Sequence, residues 1–148
     1  MRKYFPVALA ALFTAVLAGF ALAASMTPTV VVSGQEHWTA GSGMLKGVQV
    51  AVLAGNPSKS GLYIVRLKLP AGTVFPVHYH NETEDVSVVS GTLWVGVGDK
   101  VNAAATRPLT AGSFVQIPAK LHHYAITKTV TVIDRIGMGP ASMIAVKT

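Results

Sequence analysis

Apolar and polar residues alternate in short stretches along most of the chain after residue 47. In residues 63–69 every second side chain is apolar, with Arg66 and Lys68 between them. Successive side chains of a strand point to opposite faces of a sheet, so a period of two is typical of a strand with one buried face. We predict a strand there, and short apolar runs bounded by turn residues predict others at residues 48–53, 74–80, 86–89, 92–97, 113–117, 123–127, 130–136 and 143–146.

Glycine, proline and asparagine separate these segments. Ser90 and Gly91 are predicted to form a tight hairpin turn between the strands at 86–89 and 92–97, and the strands at 123–127 and 130–136 are predicted to form a second pair. Residues 100–107 are interpreted as a loop, and no segment has the apolar stripe of an amphipathic helix. This spacing of turns favours a single all-β domain, either a sandwich or a barrel.

The first 23 residues differ from the rest of the chain because they are almost wholly apolar. Arg2 and Lys3 precede the apolar run, and Ala21 and Ala23 form the small-x-small pattern of a signal cleavage site. We predict a cleavable signal peptide at residues 1–23 and one domain at residues 24–148, in the periplasm or secreted. The alternative is an uncleaved segment that anchors the protein in the membrane, because about 20 apolar residues can span a bilayer.

Composition then narrows the classes of function. A length of 148 residues allows one domain, and the absence of cysteine excludes disulfide scaffolds, thiolate metal sites and a cysteine nucleophile. The 12 Lys and Arg exceed the 6 Asp and Glu, but they are scattered along the chain. Nucleic-acid binding requires clustered positive charge, so we expect no nucleic-acid partner.

The residues best able to bind a metal ion or take part in catalysis are the histidines. Four of them lie between positions 78 and 123. His78 and His80 are two positions apart on a predicted strand, so they share a face and can bind one ion. Glu84 follows after a short turn and can add a carboxylate, and His123 from a later strand would complete the set. Two histidines at this spacing are a weak signal alone.

The spacing of the residues around these histidines strengthens the signal. Five residues separate Gly72 from His78, three separate His80 from Glu84, and six separate Glu84 from Gly91. The two glycines fall at turns where a positive φ is expected. This pattern resembles the first motif of the cupin family.

The second cupin motif is matched more loosely. Gly112, Pro118 and His123 agree with it, whereas Lys120 stands where a glycine is expected and Thr127 where an asparagine is expected. The resemblance covers about residues 61–135. It implies a small jelly-roll β-barrel, and it implies that one metal ion is held inside the barrel by His78, His80, Glu84 and His123.

His122 is the alternative to His123 as the ligand. Adjacent residues of a strand face opposite ways, so only one of the two can face the cavity. The distance from Pro118 favours His123, whose neighbours on the same face, Ala125 and Thr127, leave room for an ion and a ligand.

The sequence alone also allows other assignments of the polar residues. The histidines could be hydrogen-bonded core residues without a metal. Glu82 could replace Glu84 as a ligand, although the spacing favours Glu84. Asp85 is interpreted as solvated or as supporting a ligand, and His37 as a surface or packing residue. The larger apolar side chains, which include Phe75, Tyr79, Trp94, Phe114 and Tyr124, are predicted to lie in the core or the cavity wall.

Three imidazoles and a carboxylate suit one divalent transition metal ion, namely Fe, Mn, Ni, Cu, Co or Zn. We expect a metal-dependent enzyme, a dioxygenase or an isomerase or lyase, that acts on a small oxygenated metabolite. The alternative is a non-catalytic metal- or ligand-binding module of the cell envelope, and a weaker one is a metal-free structural protein. By resemblance we also expect a homodimer, with residues 29–33 as a candidate edge strand.

Overall fold

The computed structural model describes residues 27–147, and it contains short strands and two 3-10 turns. The strands are β1 (Thr39–Ala40), β2 (Gln49–Ala54), β3 (Gly61–Leu69), β4 (Val74–Tyr79), β5 (Glu84–Ser90), β6 (Thr92–Val97), β7 (Arg107–Thr110), β8 (Phe114–Ile117), β9 (His123–Thr127), β10 (Thr131–Gly139) and β11 (Ile144–Ala145). The 3-10 turns are Gly43–Leu45 and Ala103–Ala105. Between residues 27 and 147 no helix has the length and apolar character needed to cross a bilayer. The predicted signal peptide at residues 1–23 lies outside the described residues.

The strands form two antiparallel sheets. The larger sheet has the order β1-β2-β3-β10-β5-β8, and the smaller has the order β11-β4-β9-β6-β7. Their apolar faces pack against each other, so the molecule is a jelly-roll barrel. The prediction of an all-β, single-domain barrel is confirmed.

The core lies between the two sheets and follows the alternation read from the sequence. On β3 the side chains of Tyr63, Val65, Leu67 and Leu69 are all buried, and Arg66 lies on the opposite face. Facing residues of the smaller sheet, which include Phe75 and Leu93, complete the cluster. Each strand of this pattern therefore contributes one face to the barrel interior.

Both predicted hairpins are wrong in their pairing. Strand β5 bonds to β10 and β8, whereas β6 bonds to β9 and β7, so the turn at Gly91 passes from one sheet to the other. The turn between β9 and β10 crosses between the sheets in the same way. The two turns are in close contact: a Cβ atom added to Gly91 would lie 2.5 Å from the carbonyl oxygen of Val130 in the other turn.

The predicted loop at residues 100–107 is present; it contains the 3-10 turn Ala103–Ala105 and ends where β7 begins at Arg107. Two further expectations are wrong. Residues 29–33 form no strand; the side chains of Val30 and Val32 are 73% and 53% exposed, and strand pairing begins only at β1. Phe114 is 57% exposed rather than buried, because it points to the outer face of β8.

Candidate metal centre

The four predicted ligands come together inside the barrel. His78 near the end of β4 lies opposite His123 at the start of β9 in the register of the smaller sheet. His80 follows the last residue of β4 by one position, and Glu84 is the first residue of β5 in the larger sheet. All four side chains are buried. The turn at residues 81–83 therefore brings ligands from both sheets to one place.

The distances within this group match those required by a metal ion. The ligand nitrogens of His78, His80 and His123 lie within 4.8 Å of one another, a group that does not include Glu84. Glu84 Oε2 lies 3.3 Å from His80 Nε2 and 3.4 Å from His123 Nε2. Two ligand atoms that share an ion at about 2.1 Å are separated by ~3.0–3.4 Å. Glu84 Oε2 is thus placed as a fourth donor beside His80 and His123.

Each of the three histidines is oriented by a hydrogen bond from Nδ1. The acceptors are the backbone carbonyls of Pro76 for His78 (2.7 Å), Leu121 for His123 (2.9 Å) and Ser142 for His80. A carbonyl only accepts, so Nδ1 carries the proton and the neutral ring leaves Nε2 free. His80 Nε2 is buried and lacks a hydrogen-bond partner. This arrangement is typical of metal-bound histidines, and the residues therefore fit a metal ion.

The charges of the site also suit a cation. Burial lowers the pKa of His78 to about 4, so this imidazole is neutral and able to bind a metal at neutral pH. Burial by itself would raise the pKa of Glu84. The positive charge of Arg135, whose Nε lies 2.6 Å from Glu84 Oε1, counters the effect of burial and helps to hold that pKa below its usual value. The carboxylate is therefore ionised.

Arg135 is a further member of the site, and it lies outside the predicted set of ligands. Its Nε lies 2.6 Å from Glu84 Oε1, and its Nη2 donates to Glu82 Oε1 at 3.0 Å. The signal was present in β10, where Arg135 is two positions after the buried Ile133 and so shares its inward face. A charged residue at an inward position of a strand requires a partner, and here it has two carboxylates.

The alternative residues lie elsewhere. Glu82 binds Arg135 and Ser142 rather than joining the three histidines. Asp85 accepts from Gln116 outside the barrel, and His37 is exposed.

His122 faces away from the cavity. It pairs with Asp99 and stacks on Tyr79 with ring centroids 5.5 Å apart. The buried His123 is the histidine that meets His78 and His80, as the alternation predicts.

A cavity of about 50 Å³ adjoins the histidines. Its walls are mostly apolar and include Phe75, Val86 and Ile133, whereas its polar groups come from His78, Glu84, His123 and Arg135. A wider hollow of about 280 Å³ lies next to it, and Leu45, Arg135 and Met143 line both. Apolar walls with a few polar groups at one end are typical of small-molecule sites.

The turn residues at the glycine positions of the two cupin motifs have the backbone conformation that glycine favours. Lys120, in place of the expected glycine, has φ +69°, the left-handed conformation that glycine favours. Its backbone N–H donates to the carbonyl of His80 at 2.8 Å. Gly72 and Gly91 likewise have positive φ, at 78° and 76°.

Comparisons with known proteins agree with this geometry. The model of the Cupin domain family matches residues 65–133. No curated protein matches the sequence.

Solved structures share the fold at low identity. An RmlC-like cupin from Shewanella frigidimarina is 23% identical, with a TM-score of 0.58 over 76% of this chain and 91% of that chain. KdgF from Halomonas sp. is 22% identical, with a TM-score of 0.58 over 76% and 96% of the two chains. A candidate acetylacetone dioxygenase from Methylibium petroleiphilum is 18% identical, with a TM-score of 0.63 over 83% and 85%. The family match and the motif residues together identify residues 65–133 as a cupin domain.

Proposed function

We propose that this protein is a metal-dependent enzyme of the dioxygenase or the isomerase and lyase classes, and that its substrate is a small oxygenated metabolite. The observation that carries the proposal is the set of three buried histidines whose Nδ1 atoms are all held by backbone carbonyls. Two of these histidines, His78 and His123, line a cavity, so a bound ion would be accessible to a small molecule. A site that is open to a ligand is typical of a catalytic metal.

Different residues of the proposed site have different roles. A divalent transition metal bound there would polarise an oxygen of the substrate or support redox chemistry. His78, His80 and His123 would hold the ion, and Glu84 would offset part of its charge. The apolar walls, which include Phe75, exclude water and limit the substrate to a small body.

The comparisons support an enzyme by analogy. The candidate acetylacetone dioxygenase shares the fold at 18% identity. Because one fold hosts many activities, this likeness supports a class of chemistry and does not identify a substrate.

A non-catalytic metal- or ligand-binding role is the second candidate. The ionisable side chains that line the cavity are His78, Glu84, His123 and Arg135. A bound ion would occupy His78, Glu84 and His123, and Arg135 is a cation, so none of these cavity-lining residues would remain as a free general base.

We also propose that the protein is exported, on the strength of the signal pattern in residues 1–23. Homodimer formation remains a proposal that rests on the family resemblance alone, since residues 29–33 form no edge strand. Light scattering of the purified protein would test the dimer, and cell fractionation would test export.

Elemental analysis is the experiment that tests the proposed function. The protein is purified from its exported compartment without chelators or nickel columns, beside the His78→Ala/His80→Ala variant and His122→Ala as the matched control. We expect near-stoichiometric metal in the wild type and the control, and its loss in the double variant. Oxygen uptake or substrate loss is then followed with diketones, flavonols and keto acids.

The outcomes separate the two candidates. Turnover that depends on His78 and His80 supports an enzyme. Stoichiometric metal without turnover or any substrate-dependent spectral change favours the binding module. A wild type that contains no metal and takes none up would refute the metal-dependent enzyme and the metal-binding role.

A further inference from the structure

The three histidines differ in how their Nδ1 atoms are held. Pro76 and Leu121 lie two positions before His78 and His123, so those two rings are oriented by their own chain segments. The acceptor for His80 is the carbonyl of Ser142, 62 positions away. The orientation of His80 therefore depends on where the C-terminal segment docks.

Glu82 holds that segment in place. The backbone N–H of Ser142 donates to Glu82 Oε1 at 2.9 Å, and Ser142 Oγ donates to Glu82 Oε2 at 2.7 Å. The backbone N–H of Asn81 donates in turn to Ser142 Oγ at 2.6 Å. Both oxygens of the carboxylate are used, and its side chain is only 10% exposed.

Arg135 links this arrangement to Glu84. Its Nη2 donates to Glu82 Oε1 at 3.0 Å and to the carbonyl of Ser142 at 3.2 Å, which uses both hydrogens of that nitrogen. Its Nη2 also lies 3.0 Å from His80 Nδ1, but Nδ1 bears the proton that it donates to Ser142, so this is a contact rather than a hydrogen bond.

On its other side, Arg135 Nε lies 2.6 Å from Glu84 Oε1. This contact leaves Glu84 Oε2 as the oxygen next to His80 and His123. A carboxylate held in this way can offer one oxygen to an ion.

From these contacts we infer that Glu82, Arg135 and Ser142 are positioning residues that orient His80 and Glu84, so that residues 141–143 complete the metal centre. The inference rests on the proposed function in that it requires a metal to bind at the histidines. It assigns a role to three residues that are not themselves donors to the ion. Met143, in the same segment, lines both the cavity beside the histidines and the wider hollow next to it, so this segment also connects the metal centre with that hollow.

The test compares Glu82→Ala with Glu36→Ala. Glu36 is a matched control, because its carboxylate also pairs with an arginine, Arg66, at 2.8 Å and its side chain is 8% exposed. Arg66 lies on the outer face of β3, away from the histidines. Each protein is stripped of metal and titrated with Co²⁺, whose visible spectrum reports the ligand geometry. The ¹⁵N spectra of the histidines in the metal-free proteins report the tautomer of each ring.

We expect Glu82→Ala to bind Co²⁺ about 10- to 100-fold more weakly with an altered spectrum, which is the usual effect of removing a group that orients a metal ligand. The metal-free variant should lose the Nδ1–H tautomer at His80 and keep it at His78 and His123. Glu82→Gln, which keeps an acceptor oxygen and the side-chain shape, should recover part of the affinity. Glu36→Ala should match the wild type in affinity, spectrum and tautomer.

Two results would overturn the inference. One is Co²⁺ affinity in Glu82→Ala within threefold of the wild type with an unchanged spectrum. The other is an unchanged His80 tautomer in a folded Glu82→Ala. A wild type that binds no Co²⁺ refutes the metal centre and the proposed function together, and the tautomer comparison then decides separately whether Glu82 orients His80.

Discussion

Replacing His123 with alanine is expected to remove most of the metal affinity, whereas the same change at the adjacent His122 is expected to leave it intact. His123 is 3% exposed and supplies one of the three nitrogens that lie within 4.8 Å of one another. His122 points outward, and its side chain is 37% exposed beside an Asp99 that is 79% exposed. The two variants remove the same chemical group from opposite faces of one strand.

The magnitude follows from the number of ligands. A structural zinc site of four ligands has an affinity of about 10–16 kcal/mol, or about 2.5–4 kcal/mol for each ligand. Since about 1.4 kcal/mol is a factor of ten, loss of His123 should weaken binding by about 100-fold or more. Loss of His122 removes an exposed contact with Asp99 that contributes about 0–1 kcal/mol to folding, and the metal Kd should stay within about threefold.

Thermal unfolding with and without metal is the assay. At a metal concentration of about 100 times the wild-type Kd, binding should stabilise the folded protein by about 2.7 kcal/mol. In a variant with a 100-fold larger Kd the same concentration contributes about 0.4 kcal/mol. The wild type and His122→Ala should therefore show a rise in Tm of roughly 10 °C, and His123→Ala a rise of only one or two degrees.

Two outcomes would refute this reasoning. If His122→Ala lost the metal-dependent rise in Tm and His123→Ala kept it, the assignment of faces along β9 would be wrong. If all three proteins responded equally, the histidines inside the barrel would not be where the metal binds.

Three further changes test other parts of the structure. Gly96→Ala should destabilise the protein by about 2–3 kcal/mol in urea unfolding, because the new Cβ would lie 2.1 Å from the ring of the buried Tyr124. A loss of stability below about 0.5 kcal/mol would contradict this close packing. Lys120→Gly should raise the free energy of unfolding by about 1 kcal/mol, because it relieves a side chain held at φ +69°; a loss of stability would argue against the left-handed backbone. Hydrogen bonds from its own backbone and from Arg66 lower the pKa of Glu36 below its usual 4.5. A lowered folded-state pKa means that this stabilisation is complete above about pH 4.5 and is lost as the pH falls through the folded value. Glu36→Gln should therefore make the Tm less sensitive to pH in the acid range, and a Tm that falls as steeply as in the wild type would exclude the role of Glu36.

Local periodicity predicts most of the strands and the faces they bury. The alternation in residues 63–69 is enough to predict β3 and its buried side chains. Alternation along β9, with the distance from Pro118, favours His123 over His122. These buried faces are predictable because the direction of a side chain on a strand is decided by the backbone of that strand alone. The spacing of glycine, histidine and glutamate singles out His78, His80 and Glu84 through its resemblance to the first cupin motif, and the fold brings them together.

The burial of Arg135 was also predictable from the sequence, because its inward position follows from the alternation of buried residues in β10. Its partners were not, because Glu82 lies 53 positions away and Ser142 completes the arrangement from the other side. Ser142 in its loop carries no periodic signal at all.

Only the tertiary structure decides which strands lie side by side. The turns at Gly91 and before β10 suit a hairpin locally, yet both pass the chain to the facing sheet. The choice depends on hydrogen bonds to strands far along the chain and on burial of both inner faces, and neither is encoded in the turn itself. For the same reason residues 29–33 have the composition of a strand but remain unpaired, since a strand forms only where the fold provides a neighbour.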